Sequence, residues 1–426
     1  MKLTYFCNTM FLLEGSKTKV LCDPWVTTGF KSSSGLYNLP KLKTTHKKLA
    51  SYKPDFIYIS HTHPDHFDPF TLSHFPKDTP VLVSWYKHNF TEIAVKKLGF
   101  TDVRVCERYK SLKLKGNDKC WIEPSEKYSQ VDSMAVFEID NVKVFNANDC
   151  GFHEKQCKSI IKRFKTIDAA CIPSGMQGPY PAFYENLNIK EKKIEAEKRK
   201  INNFQSVLNY LKILAPKAFL PFTGGAAYIG NKALLMKYCG VGTAKELKSY
   251  VSKNNIDIKT ILLSENCSYD FSKKKISGKF INHTFKNMEP YFKEISKLQS
   301  PFEKGGSFWI HPSQRIDLTN LISVARGKQK VWQERYKIKS KLVFFIDIGQ
   351  KYLYRMSLDN TEVARVEEKK ISDNSYEIFR IPYSLFIGFL TRHYNYSNLK
   401  TQFVSFYRKP NNFFPELHIL MSHLHL

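Results

Sequence analysis

Apolar positions through the first 220 or so residues fall either in alternation with polar ones or in short solid blocks, the signatures of half-buried and fully buried strands. "LTYFC" and "MFLLEG" predict two strands, "EGSK" a turn, and "KVLCDPW" a third strand ending at Asp23-Pro24. "PDFIYIS" predicts a short buried strand. "PVLVSW" and "DVRVCE" predict strands on either side of "NFTEIAVKKLGF", an amphipathic helix closed by a glycine. "SMAVFEI" and "VKVFNAND" read as paired strands around a turn at Asp140-Asn141. A helix over 153–166, a buried strand at "DAACIPS", a charged helix over about 186–213 and a strand at "AFLPF" complete the series. Strands alternating with helices, after a hairpin-rich start, predict an α/β layered fold.

The texture changes near residue 290. "KLVFFIDIGQKYLYRMSL" and "SYEIFRIPYSLFIGFLTRHYNY" are aromatic-rich and offer few metal-binding side chains. With 426 residues the chain exceeds the usual size of a single core. Two parts are therefore expected, a catalytic domain over 1–290 and a smaller α+β accessory region over 291–426.

Composition alters this picture little. At 42% hydrophobic and 14% aromatic residues the chain can bury a core and is not globally disordered. No apolar stretch is long enough to cross a bilayer, and the start breaks into charge before a secretory segment forms, so a cytoplasmic protein is expected. Nine cysteines, scattered and without a C-x-x-C pair, indicate reduced thiols rather than disulfides or a zinc ribbon.

The net charge of +27 admits two readings: attraction to a small anionic substrate, or lysines spread over every solvated face, as in "KEKKIEAEKRK". No zinc-finger spacing, RNP sequence or dense basic tail is present, and nucleic acid is not the expected partner. The histidines of "SHFPKDT" and of the final "MSHLHL" have no further ligands at metal spacing and are expected to be incidental, the latter in an exposed tail.

The chemistry concentrates in "YISHTHPDHFDPF". His61 and His63 lie two apart behind a strand and can converge on one ion, while Asp65 and His66 on the next turn can face a second. This H-x-H-x-D-H loop resembles the signature of the metallo-β-lactamase superfamily, and the resemblance spans about the first 230 residues. It implies an αββα sandwich with two divalent metal ions, zinc or iron with manganese as a further alternative, at the edge between two sheets.

In that resemblance Asp149 of "NANDC" matches the aspartate that bridges two metals, and Asp23 of "LCDPW" the acid that orients a metal-binding histidine from behind. The texture is similar to the lactonase and phospholipase-D-like branch, and closer still to the corresponding domain of CMP-N-acetylneuraminate hydroxylases.

Two imidazoles of the family pattern are missing. Asp132, in "KYSQVDSMAVF", stands where one is expected, and Thr223, in "AFLPFTGG", where the other is. Asp132 is either a ligand, which would shift preference toward iron or manganese, or a turn residue capping the next strand. His153 either fills the vacancy or starts a helix.

Such a centre would hydrolyse an anionic ester, lactone or phosphodiester, including a sugar phosphate or nucleotide sugar, with Asp65 and His66 as the catalytic pair. The alternative is an iron-dependent oxygenase of a nucleotide sugar. The chain has no C-x-H…C-x-x-H pattern, so that chemistry calls for a separate reductase. A third reading is a non-catalytic binding module. "GMQGPYPAFY" offers Tyr180, Phe183 and Tyr184 either to stack on a sugar or base, or to pack in a core. The oligomeric state is open on this sequence.

Overall fold

The structure, a computed structural model, describes residues 1–29, 36–86, 89–126, 132–175, 177–222, 225–299, 310–394, 396, 399, 403–411 and 414–426. Thr223 lies outside them. The chain divides into two compact units: 1–177 with 197–227 and 240–292, and 178–196 with 228–239 and 293–426.

The strands of the first unit, in chain order, begin with β1 (Lys2–Cys7), β2 (Met10–Glu14), β3 (Lys19–Cys22), β4 (Tyr37–Asn38), β5 (Phe56–Tyr58), β6 (Val81–Ser84) and β7 (Val103–Cys106). They continue with β8 (Leu112–Lys113), β9 (Lys119–Pro124), β10 (Ser133–Ile139), β11 (Val142–Asn146), β12 (Ala169–Pro173) and β13 (Ala218–Phe222), then β14 (Ala226–Ala227), β15 (Lys259–Thr260), β16 (Ser268–Asp270) and β17 (Lys275–Ser277).

One sheet runs β17-β16-β1-β2-β3-β5-β6-β7 and the other β15-β13-β12-β11-β10-β9-β8; β4 and β14 pair separately. Each large sheet joins antiparallel hairpins to a parallel run, β3-β5-β6-β7 in one and β11-β12-β13-β15 in the other.

Alternation decides which way each strand faces. Leu3, Phe11, Leu13, Val20 and Phe56 of the first sheet meet Ile122, Phe137, Val144 and Leu220 of the second in one core. The intervening positions face outward. Leu12, Leu21, Ile57 and Val83 pack with Leu49 and Val95 of the helices His46–Ala50 and Phe90–Lys97. On the far side Val136, Phe145 and Phe219 pack with Ile160, Val207, Leu211 and Leu247. The layers are therefore helix, sheet, sheet, helix, the αββα arrangement. Each fully buried Leu, Ile or Phe contributes about 1.5–3 kcal/mol, so neither sheet stands without its two neighbouring layers.

Seven strands of the first unit carry no expectation from the sequence: the two-residue β4, β14 and β15, and β8, β9, β16 and β17. β8 and β17 are only two and three residues long, β17 is wholly exposed, and neither leaves a burial pattern to read. β16 has one buried residue. β9 follows a polar turn; Cys120 and Ile122 face the core between the sheets, while the buried Glu123 lies on the opposite row, paired with Arg163 of the helix Glu154–Phe164.

The second unit contains a five-stranded sheet ordered β20-β19-β18-β21-β22, from β18 (Val343–Asp347), β19 (Leu353–Ser357), β20 (Ala364–Val366), β21 (Tyr376–Arg380) and β22 (Ser405–Lys409). The helices Thr319–Arg335, Tyr383–Leu390 and Pro415–Met421 belong to the same unit. The C-terminal "MSHLHL" is not an exposed tail: Met421 and Leu424 are buried, and the His423 ring stacks on Trp332 at 4.3 Å and meets the Tyr336 hydroxyl at 3.0 Å. The interleaved leucines and methionine explain this, since they give a polar-looking tail an apolar face.

Burial, with His425 and Arg392 adding repulsion, lowers the His423 pKa from an ordinary 6.5 to about 4. Between those values the folded chain binds fewer protons than the unfolded one. The contribution is complete above pH 6.5 and disappears as pH falls to 4, on the order of 3 kcal/mol by linkage. Scanning calorimetry of the full chain should show a steeper fall in unfolding temperature over that interval for the wild type than for His423→Gln. Parallel curves would refute the account.

Candidate metal centre

The ends of several strands place the candidate residues. Asn8 and Thr9 form the turn between β1 and β2, Asp23 follows β3, and residues 60–68 leave β5. β3 and β5 are parallel and β2 is antiparallel to β3, so these three segments share one edge of the first sheet. In the second sheet the β10–β11 hairpin pairs Ala135 with Asn146 and Ile139 with Val142. Continuing that register outward sets Ser133 opposite Asn148 and Asp132 opposite Asp149. One hairpin therefore delivers two carboxylates to one place.

The loop after β5 is shaped by its own backbone. The amides of His66 and Phe67 both donate to the His63 carbonyl, at 3.0 and 2.8 Å. Asp68, the last acid of "HTHPDHFD", caps the short helix Pro69–Leu72 by accepting from the Thr71 amide, which fixes where the loop ends.

Asp23 is fully buried with φ +42°, and its carboxylate accepts from the Ser60 amide (2.8 Å), Ser60 Oγ (2.7 Å) and Thr9 Oγ1 (3.1 Å). Its fourth partner is His66 Nδ1 at 2.9 Å. With Nδ1–H committed to Asp23, the other ring nitrogen is directed at an ion position.

The side chains gather in two groups that share His61: His61, His63 and Asp132, and His61, His66 and Asp149, with ligand atoms inside each group within 4.8 Å of one another. His61 Nε2 is 3.3 Å from Asp132 Oδ1 and 2.7 Å from His63 Nδ1. His66 Nε2 is 3.3 Å from Asp149 Oδ2 and 3.6 Å from Asp65 Oδ2. Metal–ligand bonds of about 2.0–2.2 Å put two donors on one ion about 3–3.5 Å apart, so most of these separations suit a shared cation. The histidine pair is tighter and would have to open.

His66 Nε2 supplies an independent test of fit: it is buried and makes no hydrogen bond, yet carboxylate oxygens face it. Burial alone would lower the His66 pKa, but Asp149, Asp65 and Asp23 outweigh it and push it well up. Burial raises Asp65, opposed by His66 and reinforced by Asp149, while Asn8 Nδ2 holds its Oδ2 at 3.0 Å. A buried nitrogen among acids is an environment that favours a cation, and the donor set fits a metal ion.

Four further residues from the sequence reading have partners of their own. His153 caps the helix Glu154–Phe164, its ring accepting from the Gln156 amide at 3.4 Å, so it starts a helix. Tyr180, Phe183 and Tyr184 belong to the second unit and are buried there. Tyr180 donates to Glu195 at 2.8 Å, Tyr184 donates to Glu377 at 2.7 Å and stacks on Phe406, and Phe183 packs against Tyr228. Packing within that unit, the second of the two readings of "GMQGPYPAFY", describes them.

Asn8, Thr9 and Ser60 carry no sequence expectation, although two signals exist: Asn8-Thr9 sits in a tight turn with Asn8 at φ +47°, and Ser60 directly precedes the histidines.

Among the described residues no helix is long and apolar enough to cross a membrane. Among curated proteins, the chain is 34% identical over 101 residues to a protein of Mycolicibacterium smegmatis described as a "Putative Rieske 2Fe-2S iron-sulfur protein", covering 24% of this chain and 19% of that one. It is 24% identical over 237 residues to the cytidine monophosphate-N-acetylneuraminic acid hydroxylase of Danio rerio, covering 52% of this chain and 38% of that protein. It thus spans less than two fifths of the length of either relative. Among solved structures, isothiocyanate hydrolase from Delia radicum gut bacteria is similar with a TM-score of 0.45 and 17% identity, over 63% of this chain and 99% of that one. Residues 2–222, more than half of the chain, match the family model for the β-lactamase superfamily domain, and with the αββα layers around this strand-end site the chain belongs to that superfamily.

Proposed function

We propose that His61, His63, Asp65, His66, Asp132 and Asp149 hold two metal ions, iron by preference, and that the chain hydroxylates a small anionic substrate of the nucleotide-sugar class. The observation that carries this reading is Asp132, whose carboxylate stands 3.3 Å from His61 Nε2 where an imidazole is expected. Three imidazoles and three carboxylates make a harder ligand set than a histidine-rich cage, which moves preference from zinc toward iron or manganese. The similarity to a cytidine monophosphate-N-acetylneuraminic acid hydroxylase and to an iron–sulfur protein supports the same direction. Electrons would come from a redox partner.

When bound, the ions would supply Lewis acidity and, as iron, the redox chemistry. The chain's own residues set the conditions for it. Asp23 with Thr9 and Ser60 fixes the tautomer and plane of His66. Asn8 aims the Asp65 carboxylate. The net charge of +27 favours approach of an anionic substrate. Hydrolysis of an anionic ester, lactone or phosphodiester is the second reading. Membership of the β-lactamase superfamily favours it, and Asp65 would then accept the proton of the attacking water.

Protein purified without added zinc should contain two irons per chain by elemental analysis. Zinc in their place would select the hydrolytic reading, and no metal at all would remove both. His61→Ala and His63→Ala should lose metal and activity while circular dichroism shows a folded chain. Asp132→Asn should bind about one ion fewer per chain, and Asp132→His should turn preference toward zinc. Unaltered stoichiometry and selectivity in both Asp132 variants would remove the case for iron. Asp23→Asn should cost about 10- to 100-fold in metal affinity, the usual penalty for losing a group that orients a ligand, and direct titration of the apoprotein measures it.

A further inference from the structure

Behind the candidate ligands lies a second row of polar groups. Tyr58 of β5, Ser60, Ser133 and Asn148 are all completely buried. Each of the last three is the chain neighbour of a candidate ligand: Ser60 of His61, Ser133 of Asp132 and Asn148 of Asp149. Tyr58 comes from the first sheet, and Ser133 and Asn148 from the ends of the β10–β11 hairpin in the second.

The hydrogen bonds among them have a single consistent direction. Asn148 Nδ2 donates to the Tyr58 hydroxyl at 3.1 Å and to the Ser133 carbonyl at 3.0 Å. Ser133 Oγ donates to the Ser60 carbonyl at 2.7 Å, which commits its one hydrogen. The Tyr58 hydroxyl then donates to Ser133, whose Oγ lies 2.8 Å away and whose carbonyl lies at 3.2 Å. Burial, reinforced by the nearby Asp23 charge, keeps the Tyr58 phenol protonated and able to donate. The remainder of Asn148 is committed as well: its amide N–H donates to Asn146 Oδ1 and its Oδ1 accepts from Asn146 Nδ2, both at 3.1 Å, around a backbone with φ +46°. At the other end Ser60 donates to Asp23.

We infer that this chain, Asn148 to Tyr58 to Ser133 to Ser60, is the positioning device that sets the gap across which the two sheets present their metal ligands. The inference rests on the proposed metal reading and adds the residues that tune it. The first sheet supplies His61, His63, Asp65 and His66, the second Asp132 and Asp149, and the core between the sheets is apolar and has no direction of its own. A core of that kind tolerates small slips between sheets, whereas ligand bonds tolerate a few tenths of an ångström. A directional chain of hydrogen bonds, one residue behind three of the ligands, supplies the missing constraint. Tyr58 is its only member from within a strand of the first sheet, and its hydroxyl is the link between Asn148 and Ser133 Oγ.

Full-length apoprotein titrated with cobalt(II) and iron(II) tests this. Tyr58→Phe deletes one oxygen, and Asn148→Asp keeps the shape while replacing the donating amide by an acceptor. Both should weaken metal binding by about 10- to 100-fold and shift the cobalt absorption bands, which report ligand geometry and would not respond to a loss of stability alone. Ser133→Ala removes the middle hydroxyl without adding bulk and gives the same information should Tyr58→Phe fold poorly. Tyr269→Phe is the control: a buried tyrosine whose hydroxyl accepts from Lys259, outside the chain, should leave affinity and spectrum unchanged. Wild-type affinity and bands in Tyr58→Phe and Asn148→Asp would overturn the inference while leaving the metal reading intact. A wild-type protein that takes up neither metal would bring down the metal reading, and the inference with it.

Discussion

The carboxylate of Asp23 is buried completely, and the geometry of the site follows from how that charge is tolerated. Removing a carboxylate from water costs several kcal/mol unless donors replace the water. Four do so here: the Ser60 amide and hydroxyl, Thr9 Oγ1 and His66 Nδ1. Hydrogen bonds to a charged group are each worth about 1.5–3 kcal/mol, so the burial is offset only when the Asn8-Thr9 turn and the loop after β5 are both closed around it. The fold therefore fixes one face of the His66 ring, and the opposite nitrogen is left among the carboxylates of Asp65 and Asp149. A structural charge and a candidate ligand site are two sides of one imidazole.

The remaining candidate ligands follow from strand direction. Parallel pairing of β3 and β5 brings Asp23 and the histidine loop out at the same edge. An antiparallel hairpin does the corresponding work in the other sheet, because a chain that enters at Asp132 and turns at Asp140-Asn141 must leave opposite its point of entry. His61, common to both ligand groups, stands where the contributions of the two sheets meet. Two ions bound there would not be independent, since whatever orients the His61 ring for one changes what it offers the other.

Much of this was legible in the sequence, for physical reasons that can be named. The strands with clean alternation or solid apolar blocks lie close to where their patterns put them, and H-x-H-x-D-H stands out as the candidate site because few other uses require that spacing. Even the opposition of Asp132 and Asp149 was available by counting outward from a two-residue turn, as the register shows. What the sequence concealed is of another kind. Tyr58 looks like any core aromatic in "DFIYIS", and its partners Ser133 and Asn148 lie 75 and 90 residues away. Asn8, Thr9 and Ser60 are small polar residues at turns, where local hydrogen bonding explains them equally well. β17 is too exposed and too short to bear any pattern. Local periodicity records which face is buried; it does not record which buried polar atoms find one another.

The same distinction explains the second unit. In "YEIFR" of β21 the inward row includes Glu377, and in "SFYRK" of β22 it includes Arg408, a charged residue in each place where the strand pattern calls for an apolar one. The register sets the two opposite one another, 3.2 Å apart, with Tyr184 and His418 also bonded to Glu377. Burial would raise the Glu377 pKa, but His418, Arg408 and the Tyr184 hydroxyl hold it below its ordinary value, so the carboxylate remains charged in the interior. Such a pair adds little net stability over apolar residues of the same size, yet breaking it is expensive. A slip of one residue between β21 and β22 would set Glu377 against Tyr407 or Lys409 and turn Arg408 to the other face, leaving a buried charge unmatched. The pair thus selects one register among several that the aromatic-rich strands alone would accept, and the Tyr184 hydroxyl fastens residues 178–196 to that choice.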